Sequence, residues 1–409
     1  MLAAVADDFT GATDLAMMLR ASGHRVVVTI EDAELTAEQL STVDAVVVAL
    51  KTRTAEVADA VDRSHAALTR LRGWGADRFY VKYCSTFDST DRGNIGPVLD
   101  AALDLLGSSR CVVVPSLPAN GRRVREGLLH VGEKLLENSS MRHHPLTPMT
   151  RSRVADLLRP QTVHAVAEIH REQILRGATA LREALEATDS PYIVLDTENE
   201  EDLRTIGAAV AGNVLVSGGS GLALGIPGPA GEVDDWQAPT AGRRAVLCGS
   251  VSAQSLAQIE HASRTQPVHV IDVPAAAADP AATAQRIVAW IDEQTEQAIP
   301  VVCAARTRED VLSPVEGLDP AATVEAVIAA VAAQLVDSGR SRALIVAGGE
   351  SSGAVVGALG ATALRIGPEI APGVCWSLTE SGGTAVALAL KSGNFGADDM
   401  FTTAWEVLA

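Results

Sequence analysis

Aromatic side chains are scarce in this chain: five Trp, five Phe and three Tyr make up 3% of its 409 residues. Stacking platforms for single-stranded nucleic acid need more rings than that. A net charge of −18 also argues against nucleic acid, whose binders usually carry a basic patch or stripe. Cysteine is sparse: Cys84, Cys111, Cys248, Cys303 and Cys375 are scattered, odd in number and never spaced C-x-x-C. That excludes a disulfide framework and a zinc knuckle. No run reaches the ~18 uninterrupted apolar residues of a membrane span, and no basic segment precedes an apolar stretch at the start. The expectation is a cytoplasmic protein with no membrane partner.

Lysine is the rarest charge. Of 33 basic residues only Lys51, Lys82, Lys134 and Lys391 are lysines. None follows a glycine, so the G-x-x-x-x-G-K-[ST] phosphate loop is absent. In a chain so biased to arginine, a lysine is worth noting wherever a compact point charge does what a planar fork cannot.

What is present is a folded α/β chain. Hydrophobic residues are 47% and charged residues 21%, enough for large cores over two or three domains. Apolar runs at 2–6, 25–30, 43–50, 79–83, 111–115, 162–169, 192–196 and 213–217 read as strands, with helical spacing between most of them, as over 55–71. Such near-continuous apolar strands predict a mostly parallel sheet covered on both faces. The segment 121–150 has no clear periodicity and reads as a surface excursion. A Gly-, Pro- and acid-rich stretch marks a linker over 226–243. It separates an N-terminal domain, 1–225, from a second α/β domain, 244–409.

Ligands of open α/β sheets bind beyond the carboxyl ends of the strands, and here those ends are rich in chemistry. "DDFTGA" follows the first strand, "KTRT" the third and "CSTFDSTDRGN" the fourth. Asp7 and Asp8 thus stand side by side where strand gives way to helix, as solvated turn residues or as handlers of a cation, hydroxyl or sugar. Lys51, Arg53, Lys82 and Arg92 gather near Asp88 and Ser89, a pattern suited to an anionic substrate with hydroxyls. Lys82, inside an apolar strand, either snorkels or pairs with Asp7 or Asp8.

The C-terminal domain offers two strand-to-helix turns with glycine and serine. In "ALIVAGGESSGAVV" the residues Gly348, Gly349 and Gly353 admit close approach of an anion, and Ser351 and Ser352 add donors at a helix start. "LCGSVSAQS" repeats the logic with Ser250 and Ser252. Each alone is equally a capped tight turn; together they favour a nucleotide or phosphate site. "ALKSGNFG" sets Lys391 beside Gly393 and Gly396, where a helix C-cap is the simpler reading. "GGSGLALG" (218–225) has its third glycine one place late for a dinucleotide fingerprint, and reads as a turn shaping a pocket. His143 and His144 read as surface loop.

These stretches, with "ADDFTGATD", "KYCSTFDSTDRGNIGPV", "HHPLTPMT" and "SGGSGLA", together resemble the four-carbon acid sugar kinase family over residues 3–396. "KYCSTFDST" and "HHPLTPMT" are most similar to its 3-oxo-tetronate (3-dehydrotetronate) kinase branch. The resemblance implies two α/β domains with mostly parallel sheets, the first holding the acid sugar, the second holding ATP, and the active site in the cleft between them. It implies ATP contacts at Ser250, across the turn Gly349, Glu350, Ser351 and Ser352, and at Gly393, with Ser252, Gly348 and Gly353 beside them. Mg²⁺ would ride on the ATP phosphates, the sequence showing no dedicated metal cage. Asp8, by preference, is the candidate base for the substrate hydroxyl; Asp7 would bind substrate hydroxyls or be neutralised by Lys82. Lys82, Asp88 and Ser89 complete the substrate set. Arg53 and Arg92 are the candidates for the substrate carboxylate. The alternatives are a D-threonate or erythronate kinase of the same family, an NAD(P)-dependent dehydrogenase using the 218–225 glycines, and a non-catalytic sugar-acid sensor. A homodimer is left open.

Overall fold

β-branched runs form the backbone of both halves of the chain. The computed structural model describes residues 1–143, 147–229, 236–239, 242–312 and 318–408. Contacts along the chain divide it into two units, Met1–Asp234 and Asp235–Ala409. The linker residues 230–235, 240 and 241, and also His144, lie outside the described residues.

The first unit contains β1 (Leu2–Ala6), β2 (Val26–Ile30), β3 (Ala45–Ala49), β4 (Arg78–Lys82), β5 (Cys111–Val114), β6 (Arg122–Arg125), β7 (Leu128–Val131), β8 (Lys134–Leu135), β9 (Val166–Ile169), β10 (Tyr192–Leu195) and β11 (Leu215–Gly218). Eight of these pair in parallel in the order β2-β3-β1-β4-β11-β5-β10-β9. β1, β3, β5, β10 and β11 are buried along their whole length. Burial on both faces explains why these runs are continuous rather than alternating. The helices Phe9–Ala21, Val57–Gly73, Ile95–Leu106 and Glu200–Ala209 are among those that connect them.

The 121–150 segment is not a plain excursion. β6, β7 and β8 form a small antiparallel sheet with Val124, Leu129 and Leu136 fully buried beneath it. Its strands are two to four residues long, too short for a period of two to be visible in sequence. The buried carboxylate of Asp196 accepts from the backbone N–H groups of Glu126 and Gly127, at 2.9 and 2.8 Å, and fixes the first turn of this sheet.

The second unit contains β12 (Arg244–Cys248), β13 (Val268–Val270), β14 (Val301–Cys303), β15 (Ala343–Ala347), β16 (Ala363–Ala371), β17 (Val374–Ser381) and β18 (Thr384–Lys391). Their order is β13-β14-β12-β15-β18-β17-β16, parallel as far as β18 and then antiparallel. This antiparallel meander is a departure from the expected α/β pattern. Its turn signals were present: Gly382 and Gly383 both have positive φ (55° and 76°), the conformation a two-residue hairpin turn demands. Trp376 and Trp405 pack 5.3 Å apart in the core of this unit, and both indole N–H groups are satisfied by backbone carbonyls. The helix Pro320–Asp337 is long and apolar enough to cross a membrane by length and composition, yet Val324, Val327, Ile328, Val331 and Leu335 are buried in the unit's core.

The two units share one topological feature. In each, the first strand is flanked by the third on one side and the fourth on the other: β2-β3-β1-β4 in the first, β13-β14-β12-β15 in the second. The connection reverses direction at the first strand, and such switch points leave an open crevice beyond the strand ends. Asp7 and Asp8 stand at the first crevice, Gly249 and Ser250 at the second.

Candidate active site

At the first crevice the backbone itself is pinned. Asp7 N–H donates to the Lys82 carbonyl (3.2 Å), and the Asp7 carbonyl accepts from the N–H groups of Thr52 and Arg53 (3.0 and 3.1 Å). This brings three strand ends together around the two acids. Arg53 then forks onto Asp7, Nε to Oδ2 at 2.9 Å and one terminal nitrogen to Oδ1 at 2.7 Å. Its other terminal nitrogen lies 2.9 Å from Asp8 Oδ2. One guanidinium therefore offsets the mutual repulsion of the adjacent acids.

Asp8 has a second duty. With extended backbone (φ −151°) it is the N-cap of the helix Phe9–Ala21, accepting from Gly11 N–H at 2.7 Å and from the Thr10 hydroxyl at 3.0 Å. Position 11 must stay small, because a Cβ there would lie 2.3 Å from Asp8 Oδ1 and 3.0 Å from Lys82 Nζ. The two carboxyls differ in acidity. Burial raises Asp7 above the ordinary aspartate value, and Arg53 only partly counters it. Burial also acts on Asp8, but Arg53, then Lys82 and the Gly11 N–H, outweigh it and hold the group below that value.

Of the alternatives open to Lys82, a salt bridge with Asp7 or Asp8 is not the one formed; Arg53 pairs with both acids. The Lys82 amine is buried and donates to the Tyr83 carbonyl at 2.9 Å. Its charge also acts on Asp14, a buried carboxyl one turn along the same helix, beside Ser220 and raised by burial. Asp14 was missed in the sequence because nothing marks a lone acid within "GATDLAM". Only the register of β1 against β4, which pairs Ala6 with Lys82, brings the amine to that helix.

A cavity of about 430 Å³, counting its open mouth, is lined by Asp7, Thr52, Arg53, Lys82, Asp88, Ser89 and Asn94 among others. Thr86 donates to Asp88 at 2.6 Å, and Ser89 to the Gln161 side chain at 3.0 Å. Phe87, between them, has φ +52° and is fully buried, its ring 5.3 Å from that of Tyr83. A phenylalanine in left-handed backbone is uncommon, and here burial of the ring holds it in place. Asn94, another residue missed in the sequence, donates to the Thr52 carbonyl at 2.5 Å and ties the two loops together. Arg92 is not brought into this cavity. It is exposed and lines a wider pocket with Asp91, Met149, Thr150 and Arg151, with Ser89 common to both.

At the second crevice the ends of β12, β15 and β18 converge. The N–H groups of Gly249 and Ser250 both donate to the Ala347 carbonyl, and Gly348 N–H to that of Lys391. Gly348 (φ +121°) turns the chain into the helix Gly349–Ala358, whose start carries no side-chain cap. An uncapped helix start presents N–H donors and a positive dipole end. Ser351 faces Gly249, where a Cβ would sit 2.1 Å from its Oγ, and Gly393 faces Ser250, with 2.6 Å to its Oγ. The Ser352 hydroxyl is fully buried with no hydrogen-bond partner among the described residues. Glu350 is exposed on the first turn, and Gly353 follows within the helix. Ser252 is engaged otherwise: it caps the helix Ala253–Ala262 and donates to the Gly393 carbonyl at 2.6 Å.

Lys391 caps no helix, contrary to the simpler reading. It ends β18, fully buried, with its amine donating to the Gly393 carbonyl (3.1 Å), the Ser392 carbonyl (3.0 Å) and Ser255 (3.2 Å). Burial pushes its pKa down to about 8. The 218–225 glycines also prove structural. They lead into a short 3₁₀ turn, and Gly225 and Gly207 pack backbone to backbone, a Cβ on Gly207 falling 2.1 Å from the Gly225 carbonyl. The glycine loop opening a helix that a dinucleotide site requires is not formed there.

Comparison with known proteins divides the chain at the same place. Residues 2–226 match a sugar-binding N-terminal domain family, and residues 245–401 a nucleotide-binding C-terminal domain family. Among curated relatives, a 3-oxo-tetronate kinase of Pseudomonas fluorescens is 42% identical over all of this chain and 97% of its own length. One of Cupriavidus necator is 42% identical over 99% and 96%, and one of Salmonella typhimurium 39% identical over 98% and 97%. A crystal structure from Salmonella typhimurium LT2 matches with a TM-score of 0.90 at 38% identity, covering 98% of both chains. The Haemophilus influenzae protein HI1011 matches with 0.81 at 35% identity over both whole chains.

Proposed function

The chain belongs to the four-carbon acid sugar kinase family, and on that footing we propose that it transfers the γ-phosphoryl group of ATP to the 4-hydroxyl of 3-dehydrotetronate (3-oxo-tetronate). The products are the 4-phospho acid and ADP. The observation that carries this reading is the pair of switch-point sites of opposite character. The sugar-binding region holds two acids clamped by Arg53, and the nucleotide-binding region holds an uncapped glycine–serine helix start.

Phosphoryl transfer asks a protein mainly for positioning and charge neutralisation, with one acid to orient the attacking hydroxyl. The contacts on the two acids divide that work. A carboxylate offers about four acceptor positions. Asp8 has three in use, by Gly11, Thr10 and Arg53, whereas Asp7 has two in use, both by Arg53. Asp7 also has the higher proton affinity of the pair, which favours it over Asp8 as the group that takes the hydroxyl proton. Asp8 then holds Arg53 and the helix start in register. A guanidinium has five N–H donors; with three committed to the acids, the remaining two would meet the substrate carboxylate, helped by the charge of Lys82. Asp88 and Ser89 face the sugar hydroxyls.

On the second unit, Ser250, the Gly349–Ser352 turn and Gly393 would cradle the triphosphate of ATP. Magnesium arrives with the ATP, as part of that substrate, and the enzyme works in the cytoplasm. The orphaned Ser352 hydroxyl and the uncapped N–H groups fit an anion that brings its own acceptors.

The direct test is ADP release with ATP and a panel of four-carbon acid sugars and their 3-oxo forms. Highest kcat/KM on 3-dehydrotetronate is expected; preference for D-threonate or erythronate would move the chain to another branch of the family. Asp7→Asn should lower kcat by ~10²–10⁴, the usual worth of a general base. A smaller loss for Asp7→Asn than for Asp8→Asn would return the proton to Asp8.

A further inference from the structure

A buried glutamine that the mechanism does not use settles which way one substrate-facing hydroxyl points its proton. Gln161 ends the 3₁₀ turn Arg159–Gln161, which follows the short helix Val154–Leu158. Its side chain is buried, and both ends of the amide head are engaged. Nε2 donates to the Leu157 carbonyl at 2.8 Å, while Oε1 accepts from the Gly96 N–H at 3.2 Å and from the Ser89 hydroxyl at 3.0 Å. The amide fits only one way round, because the Leu157 carbonyl must face a donor and the Gly96 N–H an acceptor. Gly96 also packs closely on the Gln161 backbone, where a Cβ would fall 2.4 Å from the carbonyl oxygen.

Ser89 inherits a fixed polarity from this amide. A hydroxyl has one proton and two lone pairs. With Oε1 as its acceptor, Ser89 spends the proton on Gln161 and has only lone pairs left for the cavity it lines with Asp7, Arg53, Lys82 and Asp88. The hydroxyl is confined on another side by Gly93, where a Cβ would fall 1.8 Å from Oγ. Asp88, the preceding residue, is also an acceptor, engaged by the Thr86 hydroxyl at 2.6 Å. The cavity is thereby polarised, with N–H donors on Arg53 and acceptor oxygens on Asp88 and Ser89.

We propose that Gln161 is a positioning residue that holds Ser89 as an obligate hydrogen-bond acceptor, so that this subsite reads a hydroxyl of the acid sugar and rejects a methylene or a carbonyl oxygen in its place. The proposal deepens the kinase reading given above and rests on it. In 3-dehydrotetronate the 4-hydroxyl goes to Asp7, which leaves the 2-hydroxyl as the donor for Ser89. A site built to bond a hydroxyl discriminates against an analogue that lacks it, because its own buried polar groups are then left unpaired.

The test compares ADP release on 3-dehydrotetronate and on 4-hydroxy-3-oxobutanoate, which lacks the 2-hydroxyl, for wild type, Ser89→Ala, Gln161→Met and Gln161→Glu. Thermal unfolding checks that each variant folds. The readout is the ratio of kcat/KM between the two substrates, which a general loss of activity does not move. Wild type should favour 3-dehydrotetronate by about tenfold, the worth of one well-made hydrogen bond. Ser89→Ala and Gln161→Met should bring the ratio to about one. Gln161→Glu, which keeps an acceptor oxygen toward Ser89, should hold it near the wild-type value. A wild-type ratio near one, or the wild-type ratio kept in Ser89→Ala or in Gln161→Met, overturns the proposal. Should Gln161→Met fail to fold, Ser89→Ala and Gln161→Glu decide, the first losing the ratio and the second keeping it; any other pattern overturns the proposal. Failure of the kinase reading shows differently, as wild-type protein that releases no ADP with either acid sugar, and that result would overturn the subsite with it.

Discussion

Replacing Arg53 with Gln takes away a guanidinium bound to both acids and leaves two adjacent carboxyls facing each other. Removing one partner of a buried ion pair costs about 3–5 kcal/mol, while an exposed pair is worth about 0–1. The side chains of Arg53, Asp7 and Asp8 are 24%, 19% and 26% exposed. That places them nearer the buried case, partly screened, and sets the expected loss at about 2–3 kcal/mol at pH 7. Denaturant unfolding measures it. The pH dependence gives a stricter check. Asp8 in the folded protein lies below the ordinary value of 3.8, so its stabilising contribution is complete above 3.8 and is lost as pH falls through its own lower value. Asp7 lies above 3.8, so the folded state prefers its proton, and it opposes folding as pH rises from 3.8 through its raised value. Without the guanidinium both carboxyls move upward. The wild-type advantage should therefore be largest near neutrality and shrink below about pH 4, where the variant's carboxyls are already protonated. Arg53→Lys should fall between, keeping the charge but not the fork. A loss within about 0.5 kcal/mol, the ordinary range of surface substitutions, or a gap equally wide at pH 3.5 and 7, would refute this account of the acid pair.

Other substitutions separate the two sites. Gly393→Ala puts a Cβ 2.6 Å from the Ser250 hydroxyl; KM for ATP should rise about tenfold, the equivalent of 1.4 kcal/mol, with KM for the sugar acid unchanged, and initial-rate kinetics in both substrates read it. Ser352→Ala removes a buried hydroxyl that has no partner, so the unliganded protein should melt no earlier than wild type while ATP affinity falls; a clearly lower melting temperature would show that the hydroxyl is structural. Lys391, with its pKa lowered from 10.5 to about 8, binds its proton less readily folded than unfolded between those values. Wild type should gain stability, on the order of a few kcal/mol, as pH rises through that interval, and Lys391→Met should lose the gain in parallel unfolding titrations.

Much of this arrangement was legible from strand ends. The parallel strands are buried on both faces, so their apolar runs are unbroken, and the polar clusters after 6, 82, 248 and 347 mark where each strand meets the crevice. What sequence could not supply is pairing across distance. Arg53 and Asp7 are 46 residues apart, and only the β1–β3 register makes them partners, which is why Lys82 looked the better counterion. Asp14 and Asn94 carry no local signal for the same reason. The β16–β18 meander is a different matter: "ESGGT" is a hairpin turn signal, overlooked because the run before it, "SLTES", is polar and the surrounding pattern is α/β. Gly218–Gly225 shows the converse, where glycines that look like a ligand loop serve backbone packing between helices.

Lysine's rarity has a practical consequence. Two of the four, Lys51 and Lys134, are exposed, while Lys82 and Lys391 lie in the interior, one in each unit. Isotope-labelled lysine would thus yield four side-chain resonances, two of them from shielded amines seated beside the separate switch-point crevices. Sugar-acid and nucleotide occupancy could each be followed on its own probe, in the unmodified protein and in a single titration.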